Sequence, residues 1–487
     1  MKKRSLTAKT LILSFGKILA AFATIGIGVI LTRCLSVADF ATHKQALMAF
    51  AMCAPMLTLG LPKALYFFLP GETEKPRSIL MENLSMLLTL AALFCGFILL
   101  GGDQIFVEHF DNPRLGRVMP MVAIYGLCML PMAAISATLM ATDRVEKLVT
   151  FQLSTQALLI GCVGGAAYFW KTPTATVSAY AIWASIALTF ALLMMFKVTR
   201  QEKPIKVSFG GMKEQLAYGV PLGLAGMFGG LSGQIDKYMV SIMCSTEDFG
   251  IYVAGAVELP LIGVITGAMN AVVLPELAKH YKNGRLDAIR LLWQRAMNKA
   301  ILVLAPAMFV VLLFGTELIV LLFSQRYADA ATPFRVYALS LPVRAAVYGS
   351  VLMATNNTKW VTWSAFAGLI LNVLLNMVLV DAMGSTGAAW ATILTTYGVV
   401  LIMLYPLCRA LKTTPLKLFD WPHLLRVLAA SAAPAVAVYF AIDASPLQGV
   451  SRLLVGTAIY GLAVLGAYRL LRITTVQELI GFIRRRN

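Results

Sequence analysis

Six ionisable side chains lie within long apolar segments of this sequence, where a charge is costly. They are Lys17, Lys63, Asp236, Lys237, Glu258 and Arg344. A charged group at membrane depth costs at least about 2.5–3.5 kcal/mol, so such a side chain normally faces protein or water. Cations outnumber acids in this set, and cations in a wet cavity suit an anionic ligand such as a phosphate. These residues are therefore candidates for a ligand-binding site within a membrane.

Prolines accompany three of these charges. Lys63 follows a proline directly, and Glu258 and Arg344 each lie two residues from one. A proline in a spanning helix frees a carbonyl group, and interrupted helices near the midplane are where transporters place their binding sites. Arg344 is too deep in its segment to reach the interface easily, so we expect it to bind a ligand. For Lys63 and Lys237 the alternative is that they extend to the interface, and for the others that they form structural ion pairs.

The stretch from Gly219 to Val240 is long enough to span a bilayer and is rich in glycine. Its glycines recur at intervals of four residues, as Gly219 does with Gly223. In lipid, small residues at this spacing let two helix backbones approach closely. The same stretch carries Asp236 and Lys237 near its end. It is therefore predicted to be a close-packed helix whose charged end lines a pore or cavity.

The whole chain has the composition of a membrane protein. Of its 487 residues 59% are hydrophobic and 13% are charged, whereas about a quarter of a soluble chain is charged. Apolar runs near 20 residues recur from end to end, which predicts an all-α polytopic membrane protein with 14 spans. The predicted spans are 10–32, 43–69, 83–101, 118–141, 148–169, 176–196, 216–242, 250–275, 299–323, 333–354, 360–381, 387–408, 423–442 and 450–468.

The basic residues behind the net charge of +18 are unevenly distributed between the two sides of the predicted spans. Lys and Arg are concentrated in the loops on one side of the predicted spans, which places that side and both termini in the cytoplasm. This distribution argues against a nucleic-acid partner. The first apolar run resembles a signal peptide, but it continues to Leu31 and many spans follow, so a retained first helix is predicted.

A short motif recurs at the ends of the first and seventh spans. Ser36, Asp39 and Phe40 recur as Ser245, Asp248 and Phe249. Each copy follows a span that runs outward, and an even number of spans separates the copies. This pattern predicts two parallel repeats related by an axis along the membrane normal. The alternative is that Ser and Asp simply cap the helix that follows.

The repeats define a predicted domain organisation. An N-lobe at 1–197 contains spans one to six, and a C-lobe at 216–408 contains spans seven to twelve. A cytoplasmic linker at 198–215 joins them. The remaining segment, 409–487, contains spans thirteen and fourteen and a basic cytoplasmic tail.

A basic stretch precedes the ninth span. Its apolar residues Ile289, Trp293 and Met297 recur at helical spacing, which is typical of a helix lying on an anionic membrane surface. The favoured interpretation of its basic residues is that they anchor the topology, and the alternative is that they recognise specific lipids.

Catalytic and metal-binding motifs are missing from the sequence. It has no Walker sequence, no Ser/His/Asp grouping, and no cysteine or histidine spacing typical of a metal site. No enzyme activity and no cofactor are predicted. A coupling H⁺ or Na⁺ is compatible with the sequence, but no motif in it identifies a site for one. Cys34 and Cys244 fall at outer helix ends and could pair with each other. Asn372 and Asn376, one helical turn apart, are expected to hold helices together.

Three stretches resemble a known family. TRCLSVADFA after the first span is similar to the R-x-L-S-x-x-D/E-F-G motif of bacterial polysaccharide flippases, which belong to the multidrug/oligosaccharidyl-lipid/polysaccharide exporter superfamily. YGVPLGLAGMFGGLSGQIDKYMV with EDFGIYVAG, and VVLPELAKHYKNGRLD after the eighth span, resemble the opening of that family's second lobe. Ala41 stands where the family usually has glycine, which puts the local turn geometry in question.

The resemblance implies a V-shaped pair of six-helix lobes around a central cavity that opens alternately inward and outward. It implies polyprenyl-pyrophosphate-linked oligosaccharides as substrates, turned from the inner to the outer leaflet of the bacterial cytoplasmic (inner) membrane for surface polysaccharide assembly. Membrane lipids and other polysaccharide assembly proteins would be partners. The family's cavity-lining helices would place Lys17, Lys63, Asp236, Lys237 and Glu258 in that cavity.

Two other functions are compatible with a chain of this type. A drug or cation antiporter of the same superfamily would need a binding site dominated by acids and usually has twelve spans. A membrane polysaccharide polymerase or ligase usually carries a large outer loop with catalytic residues. Here the longest outer connection, about 102–117, is short.

Overall fold

The computed structural model describes residues 6–72, 74–200, 204–257 and 260–473. All regular secondary structure in these residues is helical. Among them, nine helices are long and apolar enough to cross a membrane, or up to twelve spans if each of three bent helix pairs counts as one. The predicted all-α, multi-pass architecture is therefore confirmed.

The predicted count of fourteen spans is not confirmed. The two predicted spans that the twelve do not include are 10–32 and 250–275. The first lies in a helix over Leu6–Cys34, of which the described apolar part is Ile18–Cys34. The second is interrupted by residues 258–259, which lie outside the described part of the chain.

The chain folds as two compact units, Met1–Val253 and Ala254–Asn487. The lobe limits predicted from the sequence, 1–197 and 216–408, remain predictions. The helices that begin in the first unit are α1 (Leu6–Cys34), α2 (Val37–Leu57), α3 (Leu61–Phe68), α4 (Pro76–Phe97), α5 (Asp103–His109, joined to α4 by a π-helical turn over Ile98–Gly102), α6 (Leu115–Met132), α7 (Ala134–Ala141), α8 (Val145–Trp170), α9 (Pro173–Val198), α10 (Phe209–Ser232), α11 (Ile235–Met243) and α12 (Thr246–Gly255).

Helix α2 is central to the packing of the first unit. It contacts α6, α9 and α10, while α1 packs on α8, and α8 on α9. Helix α10 also packs on α3 and α4. Two breaks shape this unit: the axis bends by 46° between α2 and α3 and by 50° between α10 and α11. Both breaks position ionisable residues that the sequence singled out.

The repeated motif forms the same cap twice. The Ser36 hydroxyl donates to the carboxylate of Asp39 at 2.7 Å and accepts the main-chain N–H of Asp39 at 3.1 Å. Ser245 and Asp248 make the same two bonds at 2.6 and 3.1 Å. The capping interpretation is thus correct for both copies, and the identical geometry agrees with a repeat.

The second copy of the motif packs on the first. A Cβ added at Gly250 would lie 2.9 Å from the carbonyl oxygen of Val37 and 3.1 Å from Cβ of Ala41. A small residue at 250 is therefore required. Since Ala41 is fully buried, its methyl group fits this contact where the resembling family usually has glycine.

The second unit is built around one long helix. Its helices are α13 (Pro260–Lys282), α14 (Leu286–Phe323), α15 (Ala331–Ala338, preceded by a 3₁₀ turn over Gln325–Ala330), α16 (Leu341–Arg344), α17 (Tyr348–Ala354), α18 (Thr358–Met383), α19 (Ser385–Ala410), α20 (Pro415–Leu418), α21 (Trp421–Asp443) and α22 (Gly449–Leu470). Helix α14 has 38 residues with a kink at Phe314, and it packs on α13, α15, α21 and α22.

The start of α14 does not present its apolar face to a membrane surface. Trp293 is fully buried, and its ring contacts those of Tyr348 and Phe419 at 5.7 and 5.6 Å between centroids. The amide of Gln294 donates to the carbonyl of Leu418 at 2.9 Å. The periodic pattern was read correctly as an amphipathic helix, but the α20 connection covers its apolar face, so the predicted surface helix is wrong.

Polar side chains join α18 to α19 as expected. The amide of Asn372 donates to the hydroxyl of Thr395 at 3.2 Å, and Asn376 donates to Asn372 at 2.9 Å. Both asparagines are buried. Cys34 and Cys244 are free thiols in this structure.

Candidate functional site

Arg344 ends a helix at a break within a bent span. The axis turns by 47° between Gln325–Ala338 and Leu341–Ala354. Helix α16 has a proline in its first turn, where a missing N–H does no harm, and ends at Arg344 after four residues. The backbone then leaves helical geometry at Val347, with φ −96° and ψ 73°. The break predicted from the proline is therefore present, and it carries the arginine.

Arg344 lines a cavity of about 270 Å³ in the second unit. Three hydroxyl-bearing residues line it too: Thr266 from α13, Tyr348 from α17 and Thr396 from α19. None of the described residues that line the cavity is acidic. Thr266 and Thr396 donate their hydroxyl protons to carbonyls of their own helices, at 2.7 and 2.8 Å. A guanidinium group with hydroxyls around it matches the needs of a phosphate or a sugar.

Arg335 is an arginine that the sequence reading passed over, although it lies in the same predicted span. Its Nε donates to the carbonyl of Leu312 and its Nη2 to the hydroxyl of Thr316, both at 3.1 Å. Helix α14 leaves helical geometry next to these groups, at Phe314. Arg335 thus satisfies polar groups at a helix break, which is a structural role.

Lys63 lies in the first unit, just after the break between α2 and α3. Gly60 at this break has a φ of +69°, which favours glycine. It packs on the glycine face of α10, which is formed by Gly219, Gly223 and Gly226. A Cβ added at Gly223 would lie 2.6 Å from the Gly60 nitrogen. Lys63 is exposed, and its Nζ donates to the carbonyl of Leu222 at 2.9 Å. The predicted close backbone approach is therefore present on α10.

Asp236 and Lys237 begin α11 after the second break, and they have separate environments. Asp236 is 4% exposed and accepts a hydrogen bond from the Tyr252 hydroxyl at 2.8 Å. Lys237 is half-buried and close enough to Lys44 for the two charges to repel each other. Lys44 also lies over the ring of Phe40, with Nζ 5.4 Å from its centroid. The sequence reading missed Lys44 because it is the second residue of its predicted span.

Side-chain hydrogen bonds join α11 to α2, and α2 to the loop between α5 and α6. The amide of Gln45 donates to the Ser241 hydroxyl at 2.9 Å, and its oxygen accepts from the amide of Asn112 at 2.6 Å. His109 and Tyr238 form a further hydrogen bond. By the predicted topology these contacts lie on the outer side.

Two of the six predicted site residues are not placed. The side chain of Lys17, in α1, and the whole of Glu258 lie outside the described residues. Within the described ranges, no group of three or more His, Cys, Asp or Glu side chains could hold a metal ion. The structure thus describes Lys63, Asp236 and Lys237 in the first unit and Arg344 in the second.

Comparison with known proteins gives a family and a fold. The sequence profile of the family described as "polysaccharide biosynthesis protein" matches residues 6–280. The inward-closed structure of a lipid II flippase, MurJ, superposes with a TM-score of 0.72 at 15% identity, over 95% of this chain and 99% of that one. At this identity the likeness shows the fold alone.

Two curated relatives match over part of the chain. A probable low-salt glycan biosynthesis flippase, Agl15, of Haloferax volcanii is 20% identical over 218 residues, which is 44% of this chain and 46% of that protein. A probable lipid II flippase, MurJ, of Rhizobium meliloti is 25% identical over 292 residues, 56% of this chain and 53% of that protein. The matched region thus spans about half the length of each relative.

Proposed function

Because the chain belongs to the polysaccharide biosynthesis protein family, we propose that it is a flippase for a polyprenyl-pyrophosphate-linked oligosaccharide. It moves this lipid from the inner to the outer leaflet by alternating access, for surface polysaccharide assembly. The observation that carries the proposal is the position of Arg344, at a helix break, on a cavity of about 270 Å³ with hydroxyl groups and without described acids.

The chemistry of that cavity suits a pyrophosphate headgroup. An arginine offers a planar fork of donors that matches phosphate oxygens. The oxygens of Thr266 and Thr396, whose protons go to their own helices, can accept hydrogen bonds from sugar hydroxyls. Within the first unit, Lys44, Lys63 and Lys237 are cations that also suit an anionic ligand. Arg335 is not included among these candidate ligand-binding cations, because it donates hydrogen bonds to Leu312 and Thr316 of α14.

The charge distribution supports the proposed orientation. An excess of Lys and Arg in the loops on one side of the spans places those loops and both termini in the cytoplasm. The proposed site of action is the bacterial cytoplasmic membrane. Its partners there are membrane lipids, the lipid-linked oligosaccharide and other polysaccharide assembly proteins.

Export in a strain that lacks its own copy of the protein tests the proposal. Surface polysaccharide is measured against the amount of protein in the membrane for Arg344→Ala and Arg344→Lys. Arg344→Ala should abolish export at a normal protein level, and Arg344→Lys should keep part of it, since lysine retains the charge but not the planar fork. Normal export by Arg344→Ala would overturn the proposed site. Unchanged polysaccharide in the deleted strain, together with altered sensitivity to toxic cations, would favour the antiporter.

A further inference from the structure

A buried carboxylate in α4 holds the start of α10. Glu82 is 5% exposed, and its Oε1 accepts the main-chain N–H and the hydroxyl of Ser208, both at 2.9 Å. Its Oε2 accepts the amide of Gln215 at 3.1 Å. Gln215 is 1% exposed and accepts a hydrogen bond from the amide of Asn83 at 2.8 Å. Three donors from the start of one helix thus converge on one carboxylate of another.

The backbone at the start of α10 is arranged for this carboxylate. Ser208 is the N-cap, and its hydroxyl accepts the N–H of Gly211 at 3.0 Å. Glu82 therefore meets the positive end of a 24-residue helix, where a negative charge is stabilised. A Cβ at Gly211 would lie 2.6 Å from Cδ of Glu82. Glycine at 211 is what permits the approach.

Two more hydrogen bonds extend the contact along α4. The N–H of Lys206 donates to the Ser78 hydroxyl at 3.2 Å, and the amide of Gln215 donates to the carbonyl of Ile79 at 3.1 Å. The contact between 78–83 and 206–215 therefore contains a row of hydrogen bonds, beside which Ile79 and Leu80 pack in an apolar cluster with Leu216. Water can replace each of these bonds when the two segments separate, so such a contact can open and close at modest cost.

We propose that this contact, the Glu82 latch, is the inner gate of the transport cycle. In the conformation seen here the latch holds the start of α10 on α4, and it releases in the state that accepts substrate from the cytoplasm. By the predicted topology both segments lie on the cytoplasmic side, where the substrate is loaded. The inference rests on the proposed function, but Glu82 itself is not a substrate-binding residue.

Cysteine labelling tests the latch without requiring transport. The reporter is Ile79→Cys, in a chain whose seven native cysteines are replaced. Ile79 is 7% exposed and packs in a cluster with Leu216 of α10, so it becomes accessible when α10 moves away. In inside-out vesicles, Glu82→Gln should raise the rate of labelling by a membrane-impermeant maleimide about tenfold, because hydrogen bonds to a charged group are lost.

Two variants serve as partner and control. In Gly211→Ala, the new methyl group collides with the Glu82 carboxylate and should raise the labelling rate by a similar factor. This second variant keeps the test valid if Glu82→Gln reduces the protein level. Glu214→Gln, an exposed acid on the same helix, should leave the labelling rate unchanged. Labelling at the unmodified rate in both Glu82→Gln and Gly211→Ala would overturn the latch.

A cross-link tests whether the latch must open for transport. Ser78→Cys with Lys206→Cys is bridged in inside-out vesicles by a short bifunctional methanethiosulfonate. Bridging should stop the movement of a fluorescent polyprenyl-pyrophosphate-linked oligosaccharide, and reductant should restore it. Undiminished movement in the bridged protein contradicts the gate. If the unbridged protein never moves this probe although labelling responds to Glu82→Gln, the proposed substrate is wrong and the latch stands.

Discussion

Lys63 donates a hydrogen bond from its Nζ to the main-chain carbonyl oxygen of Leu222 over 2.9 Å. This bond joins the start of α3 to the glycine face of α10. The amine fits there because Gly226 has no side chain; a Cβ at that position would collide with Nζ. A cation is thus held on a helix surface while its side chain remains exposed, which leaves Nζ donors for an anionic substrate.

Removing the charge of Lys63 should separate binding from folding. Lys63→Met keeps most of the aliphatic stem. It loses only the hydrogen bond from Nζ to the carbonyl of Leu222, which lies within a helix. We expect an unchanged protein level and about tenfold lower export, since a hydrogen bond to a charged group contributes about 1.5–3 kcal/mol. Lys63→Arg should retain most export. Surface polysaccharide per membrane protein is the measurement, and normal export by Lys63→Met would remove this lysine from the site.

The contact between Gly60 and Gly223 should tolerate no side chain. A Cβ at Gly223 would lie 2.6 Å from the Gly60 nitrogen and 2.7 Å from the Leu59 carbonyl carbon, and backbone cannot turn aside as a side chain can. Gly223→Ala should therefore destabilise the protein by about 1–3 kcal/mol, seen as a lower melting temperature in detergent.

Gly229→Ala on the same helix is the matched control. Nothing lies within 4 Å of a Cβ there, so alanine should stabilise α10 by about 0.5–1 kcal/mol through its higher helix propensity. Equal melting temperatures for the two variants would show that the α10 contact does not depend on backbone proximity.

The helices were predictable from the sequence because bilayer thickness sets the length of each apolar run. Arg344 was also found, since a charge deep in such a run beside a proline is rare. Lys44 and Arg335 were missed because each lies near the start of its predicted span, where a cation usually marks an interface. Glu82 and Gln215 could not be found, because only folding brings together side chains 133 residues apart.

Neutralising Lys44 should both stabilise the protein and reduce its export activity. Lys44 is half-buried, which disfavours its charge, and the like charge of Lys237 is close enough to repel it. Lys44→Gln should therefore raise the melting temperature by about 1–3 °C and lower export. Lys213→Gln, an exposed change on α10, should alter neither. A lower melting temperature with full export would mean that Lys44 is a structural residue.

The predicted topology can be read directly with reporter fusions. A reporter fused after Gly210 or after Asn283 should be cytoplasmic, and one placed within 102–117 should be outside. An alkaline phosphatase and a fluorescent protein, which report opposite sides, give the measurement. An outside signal at Asn283 would contradict both the repeat and the orientation on which the latch depends.

The proposed flipping is measured most directly with the purified protein in proteoliposomes. The vesicles contain a polyprenyl-pyrophosphate-linked oligosaccharide with a fluorescent label on its sugar, and an external quencher reports how much label has crossed. The unmodified protein should make nearly all of the label accessible to the quencher. Arg344→Ala should slow the initial rate about tenfold or more. Label that crosses no faster than in protein-free vesicles, or at the same rate with Arg344→Ala, would contradict the account.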